Sequence, residues 1–177
     1  MAFTITTNSL GLMPIANTDA GYTPANGSAA IPSSPMVPGM IVRATDPTYG
    51  EGEFILLLGV ASTIVGSVVK YNAVSFQTTL IAATAVQDVP VAIAMSANLA
   101  TTWGWYQISG TAVMAKTAVI LLPNVPVFIS ATAGKVKALA SAGLQLLACK
   151  TQLATTASAT GTVLVTINRV HTQGQIT

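Results

Sequence analysis

The sequence predicts an all-β fold, a small barrel or sandwich domain preceded by an extended N-terminal arm. Three observations predict it. From Gly39 onward the chain is a series of short runs rich in Val, Ile, Thr and aromatics, broken by Gly, Pro and Asn. The last run alternates strictly: Val163, Val165 and Ile167 share one face, while Thr162, Thr166 and Asn168 share the other. No stretch repeats apolar residues at the spacing of a helix face. The Ala/Ser/Thr segments 138–143 and 153–159 lack such a stripe and read as loops.

Residues 1–38 differ in character from the rest of the chain. They hold five of the nine prolines (Pro14, Pro24, Pro32, Pro35 and Pro38), and the stretch NTDAGYTPANGSAAIPSSPMVP interrupts helix and sheet alike. This segment reads either as a disordered tail or as an arm lying on a neighbouring subunit, with the domain proper spanning 39–177. Within the domain, strands are expected at 40–45, 53–61, 67–71, 75–82, 91–96, 103–109, 111–116, 125–130, 135–138, 144–151 and 162–169. Many short strands at this spacing favour a small barrel or a sandwich. The longest apolar run, 54–69, has 16 residues and includes Gly59, Ser62, Thr63, Gly66 and Ser67. It is short for a membrane span and reads as two strands separated by a turn.

Composition narrows the function classes. Apolar residues make up 51% of the chain, charged residues only 7%, and the mean hydropathy is +0.65. An ordinary globular domain is about a quarter charged, and surface charge is what keeps monomers apart in water. A chain this poor in charge is expected to have much of its surface covered, in a stable homo-oligomer and against other proteins. The net charge of +2 conceals an asymmetry. Asp19, Asp46, Glu51, Glu53 and Asp88 all precede residue 89, whereas Lys116, Lys135, Lys137, Lys150 and Arg169 come after it. These cations are scattered and lack aromatic interleaving, which argues against nucleic acid and for an acidic protein surface as partner. The start, MAFTITTNSLGLMP, has no basic region leading into an apolar core, so no signal peptide and no membrane role are expected. The single cysteine, Cys149, sits in apolar LQLLACKTQ and is expected to be a buried thiol.

The sequence offers little for catalysis. His171, the only histidine, lies in a polar stretch and reads as an exposed tail residue, far in sequence from every carboxylate. Glu51 and Glu53, between glycines in YGEGEF, read as a solvated turn running into a strand. With one His, one Cys and scattered acids, neither a metal site nor a cofactor site is expected, and the chain is read as a non-enzyme. Asn26-Gly27-Ser28 reads as a turn. The conspicuous feature is WGWYQISG, with three aromatic side chains in four residues. On a strand, Trp103 and Trp105 point one way and Tyr106 the other. They form either a core strand or an interface anchor, since Trp and Tyr dominate protein–protein hot spots.

WGWYQISGTAVMAK resembles a stretch of bacteriophage head proteins in which an aromatic strand ending in Gln-x-x-Gly precedes a small-residue strand. NVPVFISATAGKVKAL is similar to their Pro-Val-Phe strand, Thr-Ala-Gly turn and Lys-Val strand. GEFILLLGVASTIVGSVVKYN and GTVLVTINRVHTQGQI resemble their first and last strands. The likeness runs through residues 39–176 in order and consists of soft motifs, and the arm has no clear counterpart. It implies a tailed-phage capsid decoration (cement) protein. Such a protein is a β-barrel or β-tulip, often trimeric, bound to the major capsid protein on the outside of a virion assembled in the host cytoplasm. The candidate interface residues are Trp103, Trp105, Tyr106, Lys135 and Lys137. Competing readings are a head fibre or tail-tube protein, an outer-membrane or secreted adhesive β protein, and a small hydrolase built around His171.

Overall fold

The structure is a computed structural model that describes residues 2–6, 11–20, 36–83, 88–155 and 158–174. It is all-β, with no helix among these residues and none long and apolar enough to cross a membrane. The strands are β1 (Thr4–Ile5), β2 (Thr18–Asp19), β3 (Ile41–Asp46), β4 (Gly50–Leu58), β5 (Val68–Tyr71), β6 (Thr78–Leu80), β7 (Val91–Ala94), β8 (Trp103–Lys116), β9 (Pro126–Ile129), β10 (Val136–Lys137), β11 (Gln145–Thr151) and β12 (Gly161–Thr172).

Five of them close a barrel. Its circuit runs β8-β10-β9-β11-β12 and returns to β8; every contact is antiparallel except β8–β10. Closure removes the exposed edges that an open sheet would present. Inside lie Ala112 and Met114 of β8, Val127 and Ile129 of β9, Val136, Leu146, and Val163, Val165 and Ile167 of β12. The alternation read in residues 162–169 is thus the inward face of β12.

The other strands build a sheet on the first half of β8, where β4 pairs along one edge, and β2 and β7 pair along the other. Here the run Phe54-Ile-Leu-Leu-Leu58 is continuous rather than alternating because β4 is buried on both faces. Phe54, Leu56 and Leu58 join Val42, Ala44, Trp103 and Trp105 on one side. Ile55 and Leu57 join Val69, Ala92, Ala94, Tyr106 and Ile108 on the other.

The described stretches of the N-terminal segment, residues 2–6 and 11–20, pack against the sheet. Ile15 is 2% exposed, and Phe3, Ile5, Leu12 and Met13 pack over the Trp103–Trp105 face. The Trp105 indole Nε1 donates to the Met13 carbonyl at 2.8 Å. The strand face would otherwise leave two indoles and several aliphatics in water, and the nearby N-terminal apolar residues cover them. Residues 7–10 and 21–35, including much of the Pro/Gly/Ser-rich stretch, lie outside the described residues.

Two strands expected at 103–109 and 111–116 are one. At Gly110 the backbone takes φ +102°, and a Cβ there would sit 2.5 Å from the Glu51 carbonyl oxygen. Only glycine accommodates both. A register shift in the neighbouring β4 pairing, between Glu53 and Phe54, accompanies the bend. The Gln107 amide, fully buried, donates to the carbonyls of Ser109 (3.1 Å) and Thr111 (2.9 Å). Glycine therefore bends the strand without ending it. Gly110→Ala should cost about 1–3 kcal/mol or more through strained backbone and the clash with Glu51. Denaturant titration of the variant will show this as a lower midpoint, and an unchanged midpoint would refute the role given to Gly110.

Candidate functional site

The ion pairs of this charge-poor chain gather where the sheet meets the barrel. β4 runs from the β3–β4 turn, where Asp46 accepts amide bonds from Thr48 (2.7 Å), Tyr49 (3.1 Å) and Ala2 (2.6 Å). Burial pushes the Asp46 carboxyl up, but those three donors outweigh it and hold it below its ordinary value. Just after the turn closes at Gly50, Glu51 and Glu53 stand inside β4 rather than in the solvated turn expected for Glu51. Arg43 of β3 approaches Glu51 at 3.8 Å and Glu53 at 3.5 Å, and Arg169 of β12 reaches Glu53 at 2.8 Å. The pairs are largely exposed, worth about 0–1 kcal/mol each, so they orient the groups more than they hold the fold.

Arg169 also borders a groove of about 360 Å³ lined by Tyr71, Asp88, Val91, Ile108 and His171, among others. Its backbone is left-handed at φ +49°, and this bulge changes the phase of β12. Before it the odd-numbered residues point inward; after it Val170 and Thr172 do. His171 consequently belongs to a strand and faces the groove, not an exposed tail. Among the described residues the groove's lining includes the His171 imidazole and the Asp88 carboxylate, with the Tyr71 phenol as its hydroxyl. Burial pushes that phenol up, with the Arg169 charge pulling it partly back. Among the described lining residues there is no serine, threonine, cysteine or lysine to act as a nucleophile. Among the described residues no group of three His, Cys, Asp or Glu is placed to hold a metal ion.

Compared with known proteins, the chain matches no family model and no curated protein sequence. Its surface is accordingly read from its own residues.

Of the candidate interface residues, the aromatics are core. Trp103 is 4% exposed, and Trp105 and Tyr106 are fully buried. The two indoles do face opposite to Tyr106, but both faces of β8 are covered at this point. The buried Tyr106 hydroxyl accepts from the Asn98 side-chain amide at 2.7 Å, and Asn98 in turn accepts from Ser96 at 2.9 Å. An interface anchor must be reachable by a partner, and these three are not. Lys135 and Lys137 remain half-exposed on the barrel, Lys135 in the turn before β10 and Lys137 in β10 itself, where its ammonium donates to Ser141 at 2.9 Å. The structure keeps the two lysines near each other and apart from the aromatics.

Sequence reasoning missed the side chains that occupy the surface instead. Ile64, Val65, Val74, Leu99, Ile120, Leu122, Leu139 and Leu153 are all about half exposed or more. The available signal was their position in loops between strands, where apolar residues have no sheet face to join.

Cys149 lies in the barrel core, where burial pushes its thiol up to about 12. At pH 8 the thiol is then protonated, and the thiolate is the reactive form. The folded protein should therefore resist a disulfide reagent at that pH and react stoichiometrically once denatured. Rapid stoichiometric reaction of the folded protein would contradict the burial.

Proposed function

We propose that the chain is a structural subunit of a tailed-bacteriophage head, a homotrimer that binds the outer face of the major capsid protein lattice and stabilises it by bridging capsomers. The observation that supports this most is the surface. Ten large aliphatic side chains stand exposed among the described residues, in a chain with twelve charged residues. Four of those twelve pair with one another at the sheet–barrel junction. Such a surface suits a subunit that is covered in an assembly, because obligate interfaces are larger and more apolar than transient ones.

The resemblance to phage head proteins adds support from the places its motifs occupy. WGWYQISGTAVMAK is β8, which runs from the sheet into the barrel, NVPVFISATAGKVKAL spans β9 and β10, GTVLVTINRV lies in β12, and GEFILLLGVASTIVGSVVKYN covers most of β4 and all of β5, so the similar stretches fall on strands of both halves. A head fibre or tail-tube protein has the same surface requirement; the outward-facing lysines favour the decoration reading, because they suit the acidic face of a shell. Lysine steering raises association rate more than affinity.

Shells stripped of this chain provide the test. The purified protein should weigh three chains by light scattering, co-sediment with the shells and raise the temperature at which they rupture. A monodisperse monomer would refute the trimer, and failure to bind shells would refute the decoration role.

A further inference from the structure

We propose that the protein meets its partner through the end of the barrel where β8 stops and β12 begins, and that the matching surface is an aliphatic patch of another protein bordered by carboxylates. The identity of that protein as the capsid shell rests on the function proposed above.

Two connections form this end, 117–125 between β8 and β9 and, between β11 and β12, the described residues 152–155 and 158–160. Neither TAVILLPNV nor QLATTASAT contains a charged residue. Leu121 turns inward and is fully buried against the barrel core, while its neighbours Ile120 and Leu122 turn outward, 51% and 62% exposed. Leu153 of the second loop is 62% exposed as well.

The loops are bound to each other. The Leu121 amide donates to Thr155 Oγ1 at 2.8 Å, and the Thr155 amide returns to the Leu121 carbonyl at 2.9 Å. Thr151 Oγ1 donates to the Leu122 carbonyl at 2.6 Å, and the Asn124 amide donates to the Thr151 carbonyl at 2.9 Å. Beneath them Lys116, the last residue of β8 and 3% exposed, donates from Nζ to the carbonyls of Val119 (2.9 Å) and Ala159 (2.6 Å), one in each loop. An apolar platform fixed in this way loses little conformational freedom on binding, which favours affinity.

Charge selects the occupant. Lys116 lies below the platform, and the exposed Lys150 of β11, opposite Pro126 of β9, lies two residues before the second loop. No carboxylate side chain comes after Asp88 in the chain. A second copy docking through the same end would bring two surfaces with exposed Lys150 and no carboxylate together, an unfavourable contact between like charges. A different protein whose apolar patch carries a carboxylate rim meets the exposed Lys150 with opposite charge, and like-charge contact excludes the wrong partner.

The test compares four variants of the full chain, Leu122→Glu, Leu153→Glu, Leu122→Ser and Lys150→Glu, with Leu99→Glu, an equally exposed position in the 95–102 loop outside the platform. Binding to stripped shells and mass by light scattering are measured for each. Leu122→Glu and Leu153→Glu should weaken binding about tenfold or more, as truncation of an interface anchor does, with Leu122→Ser showing a smaller loss. Lys150→Glu should slow association and flatten its dependence on salt. Leu99→Glu should bind like the parent, and every variant should keep the parent's mass. If Leu122→Glu and Leu153→Glu bind like a parent that does bind, this inference falls while the decoration role stands. A reduced mass in those variants shows that a second copy covers the platform, and overturns it too. A parent that does not bind shells overturns the decoration role and this inference with it.

Discussion

The fourteen residues of β8 are shared by both halves of the molecule. Its first half is the central strand of a sheet buried on both faces, and its second half is a stave of the closed barrel. The bend that separates the two roles depends on the absence of a side chain at Gly110. The strand can turn there only because no Cβ meets the Glu51 carbonyl, and because the buried Gln107 amide takes up two carbonyls on either side of the bend. Everything else is arranged around that continuous backbone. β4 and β7 flank the first half, β12 runs along the second for eight paired residues, and the ion pairs of Arg43, Glu51, Glu53 and Arg169 lie beside the change-over.

Most strands were legible because their signal is local. The alternation of Val163, Val165 and Ile167 reports one inward face, and the separate faces of Trp103–Trp105 and Tyr106 come from the two-residue period of a strand. What escaped the sequence depends on partners far along the chain. Gly110 looks like a strand end, since a glycine's bend and a glycine's break are written with the same letter. His171 looks like a tail residue because the phase change at Arg169, which carries the strand to Thr172, is a backbone conformation that an arginine does not advertise. The aromatics of WGWY look equally suited to a core and to an interface. The deciding fact is that Phe3, Ile5, Met13 and Ile15, some ninety residues away, cover one face, and that β5 and β7 cover the other. The same packing makes residues 2–6 and 11–20 part of the sheet lobe, although their composition reads as an arm.

The character of the surface is a consequence of this division of labour. Once the indoles are committed to the core, the apolar excess that remains is aliphatic and lies in the loops, and in the barrel half it is accompanied only by cations. The proposed decoration role requires a fold rigid enough to present such loops in fixed positions. The closed barrel supplies that rigidity, with Leu121 plugging its end and Lys116 tying both loops to β8. The charged groove beside His171, by contrast, has no serine, threonine, cysteine or lysine among its described lining residues, and the proposed function makes no use of it.

If β8 does unite the two halves, they must unfold together. The two tryptophans, Trp103 and Trp105, both report the sheet core, and the lone Cys149 reports the barrel core. Tryptophan emission and pulsed thiol labelling can therefore be monitored through one denaturant titration of the same sample. A shared backbone element predicts coincident transitions with a single midpoint, the behaviour of one cooperative unit. Two separated midpoints, with thiol and indoles exposed in different steps, would contradict the claim that β8 makes one structure of the two cores.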